Sequence, residues 1–183
     1  HVSAAIRGLH TGNVLACAKH FPGHGDTLKD SHFDLPFVKK SIDELKKNEL
    51  APFVKASKAR VEFMMMAHLV VDAIDTELPC TLSKPAYDFL RDYLKYRNLI
   101  ITDDMEMKAI EDNYTCEKAA IMALNAGVDI LLYRSLDSTM KAFEAVKEAV
   151  RLQEIKKELI EEKTKRVKDC KKNHFGEYSP IYI

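Results

Sequence analysis

Four short apolar runs punctuate this sequence: Val14 to Ala18, Val61 to His68, Leu99 to Thr102 and Val128 to Tyr133. Runs of this length bounded by turn residues read as strands covered on both faces. A stretch of helical periodicity follows each one. After the second strand, for example, Ser83-Lys84-Pro85 opens a helix whose inner face carries Tyr87, Leu90, Tyr93 and Leu94. Strand then helix, four times over and with no solenoid repeat, predicts a parallel α/β architecture. In such folds the carboxyl ends of strands, and the loops beyond them, collect the chemistry.

Other boundaries are written as clearly. Residues 3 to 9 look like the tail of a helix broken at Gly12-Asn13, and Ser41 with Glu44 forms a capping box. Pro52 inside the next apolar stripe predicts a break near Leu50, because proline fits a first turn and not mid-helix. Thr115 caps a helix from Cys116 to Asn125 that Gly127 stops. Ser138 to about Val150 is helical, and Gln153 to Lys172 continues as an amphipathic helix whose charge run is expected to be a solvated face, ahead of an extended tail from Asn173 to Ile183.

At 183 residues and 46% hydrophobic composition the chain is one domain with ample core. Lys+Arg and Asp+Glu both number 28, so no net charge points to nucleic acid or a membrane surface. No apolar run reaches membrane-spanning length. His1 to Leu9 has no signal-peptide pattern, although the chain does not begin with Met and opens inside a helix. Cys17, Cys80, Cys116 and Cys170 lie far apart and read as free thiols of a reducing compartment.

The densest chemistry runs from Lys19 to Pro36, K-H-F-P-G-H-G-D-T-L-K-D-S-H-F-D-L-P, directly after the first apolar run. His20 and His24 have a zinc-like spacing, but Pro22 and Gly23 between them oppose a helix and no cysteine lies nearby, so neither metal nor cofactor is expected.

Two motifs carry a resemblance. K-H-F-P-G-H-G followed by D-S-H, and then Ile100-Ile101-Thr102-Asp103-Asp104-Met105, each at a strand end and in this order, resemble glycoside hydrolase family 3, in particular its β-N-acetylglucosaminidase branch. The resemblance enters at the fifth strand of a (β/α)8 TIM barrel. It implies that residues 1–150 are the C-terminal half of that barrel, four β/α units, and that 151–183 form a C-terminal helix and tail. A whole barrel takes about 250 residues. Four units alone would expose the inner faces of their strands, so the N-terminal half, as a missing segment or a separate chain, is an expected partner.

The resemblance also assigns roles. Asp103 becomes the nucleophile of a retaining mechanism, and the acid/base is His32 steered by Asp30 in place of the usual second carboxylic acid. An imidazole with an ordinary pKa near 6.5 can give and take a proton at neutral pH, and a neighbouring carboxylate fixes its tautomer. Lys19 and His20 are implied to bind sugar hydroxyls. His24 shares that task or holds the loop, His68 lines the pocket floor, and Met107 packs beneath the ring or into the core. Asp104 reads as a cap on the following turn, and Glu106 as a weaker rival for the nucleophile. Two departures from the family pattern stand out: no glycine in Tyr93 to Arg97, and Met65-Met66-Ala67-His68 where M-T-A-H is common. Both look like packing variation. The family's substrate-gripping arginine and aspartate belong to the other half.

The expected function is therefore a retaining β-N-acetylhexosaminidase that removes terminal N-acetylglucosamine from peptidoglycan-derived glycans or muropeptides, in a bacterial cytoplasm, with a secreted form left open. A β-glucosidase or glycoside phosphorylase of the same family is the nearest alternative. A catalytically silent half-barrel used for assembly or sugar binding is another, from a different class.

Overall fold

A computed structural model describes residues 1–24 and 35–176. In chain order the elements are α1 (Val2–Thr11), β1 (Cys17–Phe21), β2 (Phe37–Val38), α2 (Ile42–Lys47), α3 (Leu50–Lys58), β3 (Phe63–Met66), β4 (Val70–Val71), α4 (Lys84–Tyr93), β5 (Leu99–Asp104), α5 (Lys108–Glu111), α6 (Cys116–Ala126), β6 (Ile130–Leu132), α7 (Leu136–Arg151) and α8 (Lys157–Phe175). The main sheet has the order β1-β3-β5-β6, every pair parallel. Strands laid down in sequence order, each returned by a helix, are the four expected β/α units. A small parallel pair, β2 with β4, joins the loops that follow β1 and β3, a feature not foreseen from the sequence.

Local rules fix most helix ends. The Ser41 hydroxyl accepts from the Glu44 amide while the Glu44 carboxylate accepts from the Ser41 amide, closing the capping box. Ser83 and Thr115 cap α4 and α6 as expected. The chain breaks between Lys47 and Leu50, so Pro52 falls in the first turn of α3. Gly127 ends α6 at φ 142°, and a Cβ there would stand 2.9 Å from Cβ of Tyr87, so close packing and backbone both require glycine.

Three expectations change. The first strand lies at Cys17–Phe21, later than the apolar run suggests, with Val14 exposed. Its start is set by pairing, Cys17 with Phe63 and Ala18 with Met64. Helix α7 starts under Ser135, whose hydroxyl accepts from the Ser138 amide, rather than at Ser138. The charged helix α8 is not simply a solvated face. Lys163 is 3% exposed and donates to the Val128 carbonyl at 2.6 Å, and Arg166 reaches Asp129 at 2.8 Å. Asp129, its side chain fully buried, also accepts from Arg91 and from the Ile100 amide, each at 2.9 Å. This buried ion cluster ties α4, β5 and α8 to the segment entering β6.

One face of the sheet is sealed by helices. Met64, Met66, Ile100 and Thr102 are completely buried there. The alternate residues Phe63, Met65, Ile101 and Asp103 are only partly covered by the described residues. On α7, Leu136, Met140 and Phe143 form an exposed apolar stripe at helical spacing.

Candidate active site

The sheet carries two irregularities at the same level. Between Ala18 and Phe21, three residues of β1 span two of β3; between Ile101 and Asp104, three residues of β5 span two of β6. An extra residue in a strand bends it and re-aims a side chain, which is why such bulges favour functional sites. The β1 bulge contains Lys19 and His20, where the Lys19–His20 and Phe21–Pro22 peptides are cis. The β5 bulge contains Thr102 and Asp103. There the Thr102 hydroxyl, fully buried, accepts from the Leu132 amide and so fills the gap in the ladder.

Across these bulges His20 and Asp103 meet. His20 Nε2 stands 3.3 Å from Asp103 Oδ2. Asp103 Oδ1 accepts from the Asp104 amide at 2.8 Å, and the side chain retains 20% exposure. The aspartate therefore points to the open side of the sheet and not into packed interior. Burial lowers the His20 pKa below the ordinary value, the Asp103 carboxylate opposes that, and Lys19 and His24 reinforce it. The His24 ring lies edge-on to His20, centroids 6.1 Å apart. Lys19 is exposed on β1, and Met107 is half-buried as the cap of the short helix α5. Asp30 and His32 lie outside the described residues.

His68 is placed differently from the expectation that it lines the pocket floor. It is 3% exposed, and both ring nitrogens face protein: Nδ1 lies 2.7 Å from the Thr81 hydroxyl and Nε2 2.9 Å from the Asp104 carbonyl oxygen. Such a ring has no nitrogen left for a sugar hydroxyl.

Asp104 and Glu106 hold the loops behind the site. Asp104 Oδ1 accepts from the Glu106 amide, the turn-capping role expected of it, and Arg134 Nε stands 3.8 Å from Oδ2. Glu106 accepts from the amides of Arg134 and Ser135 and from the hydroxyls of Ser135 and Ser138, all within 2.8 Å. The Ser135 hydroxyl, aided by these amides and Ser138, holds its carboxyl down to about 2. Glu106 is thus the bolt between the β5 and β6 loops, and a rival nucleophile it is not placed to be. Neither Thr81 nor the Glu106 anchor had a local signal in the sequence. Among the described residues no three His, Cys, Asp or Glu side chains converge as a metal site requires.

Comparison with known proteins bears on this arrangement. The profile described as the Glycosyl hydrolase family 3 N terminal domain matches residues 1–170. The chain belongs to glycoside hydrolase family 3. It is 32% identical over 144 residues to a beta-hexosaminidase of Stenotrophomonas maltophilia, covering 79% of this chain and 43% of that protein. It is 36% identical to beta-hexosaminidase A of Pseudoalteromonas piscicida over 142 residues, 70% of this chain and 24% of that protein. Among solved structures, the family 3 beta-N-acetylglucosaminidase of Paenibacillus sp. superposes with a TM-score of 0.91 at 35% identity, over 99% of this chain and 35% of that one. The beta-N-acetylglucosaminidase of Thermotoga maritima gives 0.84 at 30%, over 91% and 37%. The family 3 chain described here thus spans less than half the length of these relatives.

Proposed function

We propose that this chain supplies half of the active site of a retaining β-N-acetylhexosaminidase, with Asp103 as nucleophile and the Asp30-His32 pair as acid/base. The observation that carries the reading is the His20–Asp103 contact, made between residues of the two motifs that carry the family resemblance, on separate strands. In a retaining hydrolysis a carboxylate attacks the anomeric carbon while an acid protonates the leaving oxygen; the acid then acts as base toward water. The Asp103 side chain keeps 20% exposure beside His20, so its oxygens stay open to an approaching anomeric carbon, as a nucleophile's must. Lys19, His20 and His24 lie on the same rim, suited to hydroxyls of the sugar bound there. The half-barrel's partner is proposed to be the N-terminal half. Support comes from the relatives' greater length and from the two incompletely covered surfaces, the open sheet face and the Leu136-Met140-Phe143 stripe. The substrate proposed is a terminal β-linked N-acetylglucosamine of peptidoglycan-derived fragments, handled in the cytoplasm.

The test uses the complete polypeptide. Asp103→Ala should abolish turnover of an aryl N-acetylglucosaminide, and undiminished turnover would refute the assignment. His32→Ala should slow substrates with poor leaving groups far more than activated ones.

A further inference from the structure

Residue 104 is gripped on both sides of its α-carbon. Its amide donates to Asp103 Oδ1 at 2.8 Å; its carbonyl accepts from the Met107 amide at 3.0 Å and faces His68 Nε2 at 2.9 Å. A carbonyl oxygen carries no hydrogen, so the proton in the His68 contact must sit on Nε2. The other nitrogen faces the Thr81 hydroxyl, whose single hydrogen lies within reach of both His68 Nδ1 at 2.7 Å and the Ala67 carbonyl at 2.9 Å. If the ring is neutral that hydrogen goes to Nδ1; if the ring is charged, it goes to Ala67. Burial disfavours the charged ring and lowers its pKa, although Asp103 and Asp104 pull the other way and His20 adds to the lowering. Thr81 cannot swing away: it is fully buried, and the Tyr87 hydroxyl holds its carbonyl at 2.9 Å.

We propose that His68 is a positioning residue, a neutral Nε2–H imidazole set by Thr81, which clamps the Asp104 carbonyl and thereby aims the Asp103 carboxylate at its target. The ring touches no substrate. It acts through one residue: holding the 104 carbonyl on one side of the α-carbon steadies the turn whose amide, on the other side, holds Asp103 Oδ1. This rests on Asp103 being the nucleophile.

Two measurements test it. In the complete polypeptide, imidazole 15N spectra should show His68 protonated on Nε2 alone, unchanged between pH 8 and pH 6, with Thr81→Val shifting only the Nδ1 signal. An Nδ1–H tautomer, or titration near the ordinary value, would overturn the clamp. In the complete polypeptide, His68→Leu should lower kcat by about tenfold to a hundredfold, as a small misplacement of a reacting group does. KM should stay within about threefold, and His68→Gln, which keeps a donor at the Nε2 position, should recover most of the loss. A raised KM with kcat intact would make the ring a substrate contact, and no change in either would make it packing; each sinks the proposal. Should His68→Leu fail to fold, the Gln variant and the spectra still decide. The outcomes separate from the nucleophile reading: active Asp103→Ala removes that reading and the aiming role with it, whatever the spectra show, while inactive Asp103→Ala with unaffected His68→Leu removes only the positioning role.

Discussion

His20 Nε2 and Asp103 Oδ2 lie 3.3 Å apart although β3 runs between the strands that carry them. Two strand spacings are about 10 Å, so both side chains must lean over the intervening strand, and the paired bulges let them do so. The contact has an electrostatic signature. Burial pushes the His20 pKa down and Asp103 pushes it up.

The His20 proton resonance in the 183-residue chain should therefore titrate below the ordinary 6.5, and Asp103→Asn should lower the midpoint further by removing the raising charge. The sign for stability follows. With the folded value depressed, the unfolded chain binds more protons just below pH 6.5, so this group's contribution is complete above that pH and is lost as pH falls toward the folded midpoint. A midpoint that rises in Asp103→Asn would show that the two residues are not in contact.

Much of the framework was legible because it is local. Four apolar runs, a capping box at Ser41 and Glu44, Pro52 after a break, and Ser83 before Lys84-Pro85 each obey rules that act within a few residues. Asp103 was legible through its motif and its place at a strand end. Hidden from sequence were the long-range polar pairings. Asp129 collects arginines from positions 91 and 166, and His68 finds Thr81 and the main chain of Asp104. No periodicity announces partners that tertiary packing brings together. For the same reason the charge run of α8 read as solvent-facing, although Lys163 and Arg166 turn inward to the cluster.

That cluster should dominate local stability. Asp129→Ala leaves Arg91 partly buried without its counter-charge, leaves Arg166 only its pair with Glu162, and strips the Ile100 amide of its acceptor. Breaking one partner of a buried ionic group costs about 3 to 5 kcal/mol. Asp88→Ala, which removes the exposed Lys84–Asp88 pair, should cost less than about 0.5 kcal/mol. Urea titration of both variants measures the contrast, and comparable losses would mean that Asp129 is no hub.

Lys163 adds a pH dependence of its own. Burial brings its pKa down to about 8, with Asp129 partly offsetting, against an ordinary value near 10.5. Below pH 8 folded and unfolded chains are both protonated and this group adds no slope. Between 8 and 10.5 the unfolded chain holds more protons, so stability from Lys163 rises with pH. The urea midpoint of the parent minus that of Lys163→Met should therefore be larger at pH 9.5 than at pH 7. An equal difference at both would place the ammonium in water instead of against the Val128 carbonyl.

Glu106 makes the last prediction, and it concerns order at the rim and not global stability. Its carboxylate satisfies the amides of Arg134 and Ser135, and through the hydroxyls of Ser135 and Ser138 it steadies the first turn of α7. A negative charge at a helix start also suits the helix dipole. In Glu106→Ala those amides lose the carboxylate that accepts from them. Hydrogen exchange should accelerate about tenfold or more across residues 134–139, as expected where a site opens with a smaller local free energy, while Ile100 and Thr102 in β5 keep their protection. Because its folded pKa is about 2 against an ordinary 4.5, the anchor is intact above pH 4.5 and weakens as pH falls toward 2. Exchange in the parent at pH 3 should therefore move toward that of Glu106→Ala, after correction for the intrinsic rate. Unchanged protection across 134–139 in the variant would show that the β6 loop is held by its own backbone and that Glu106 is a bystander.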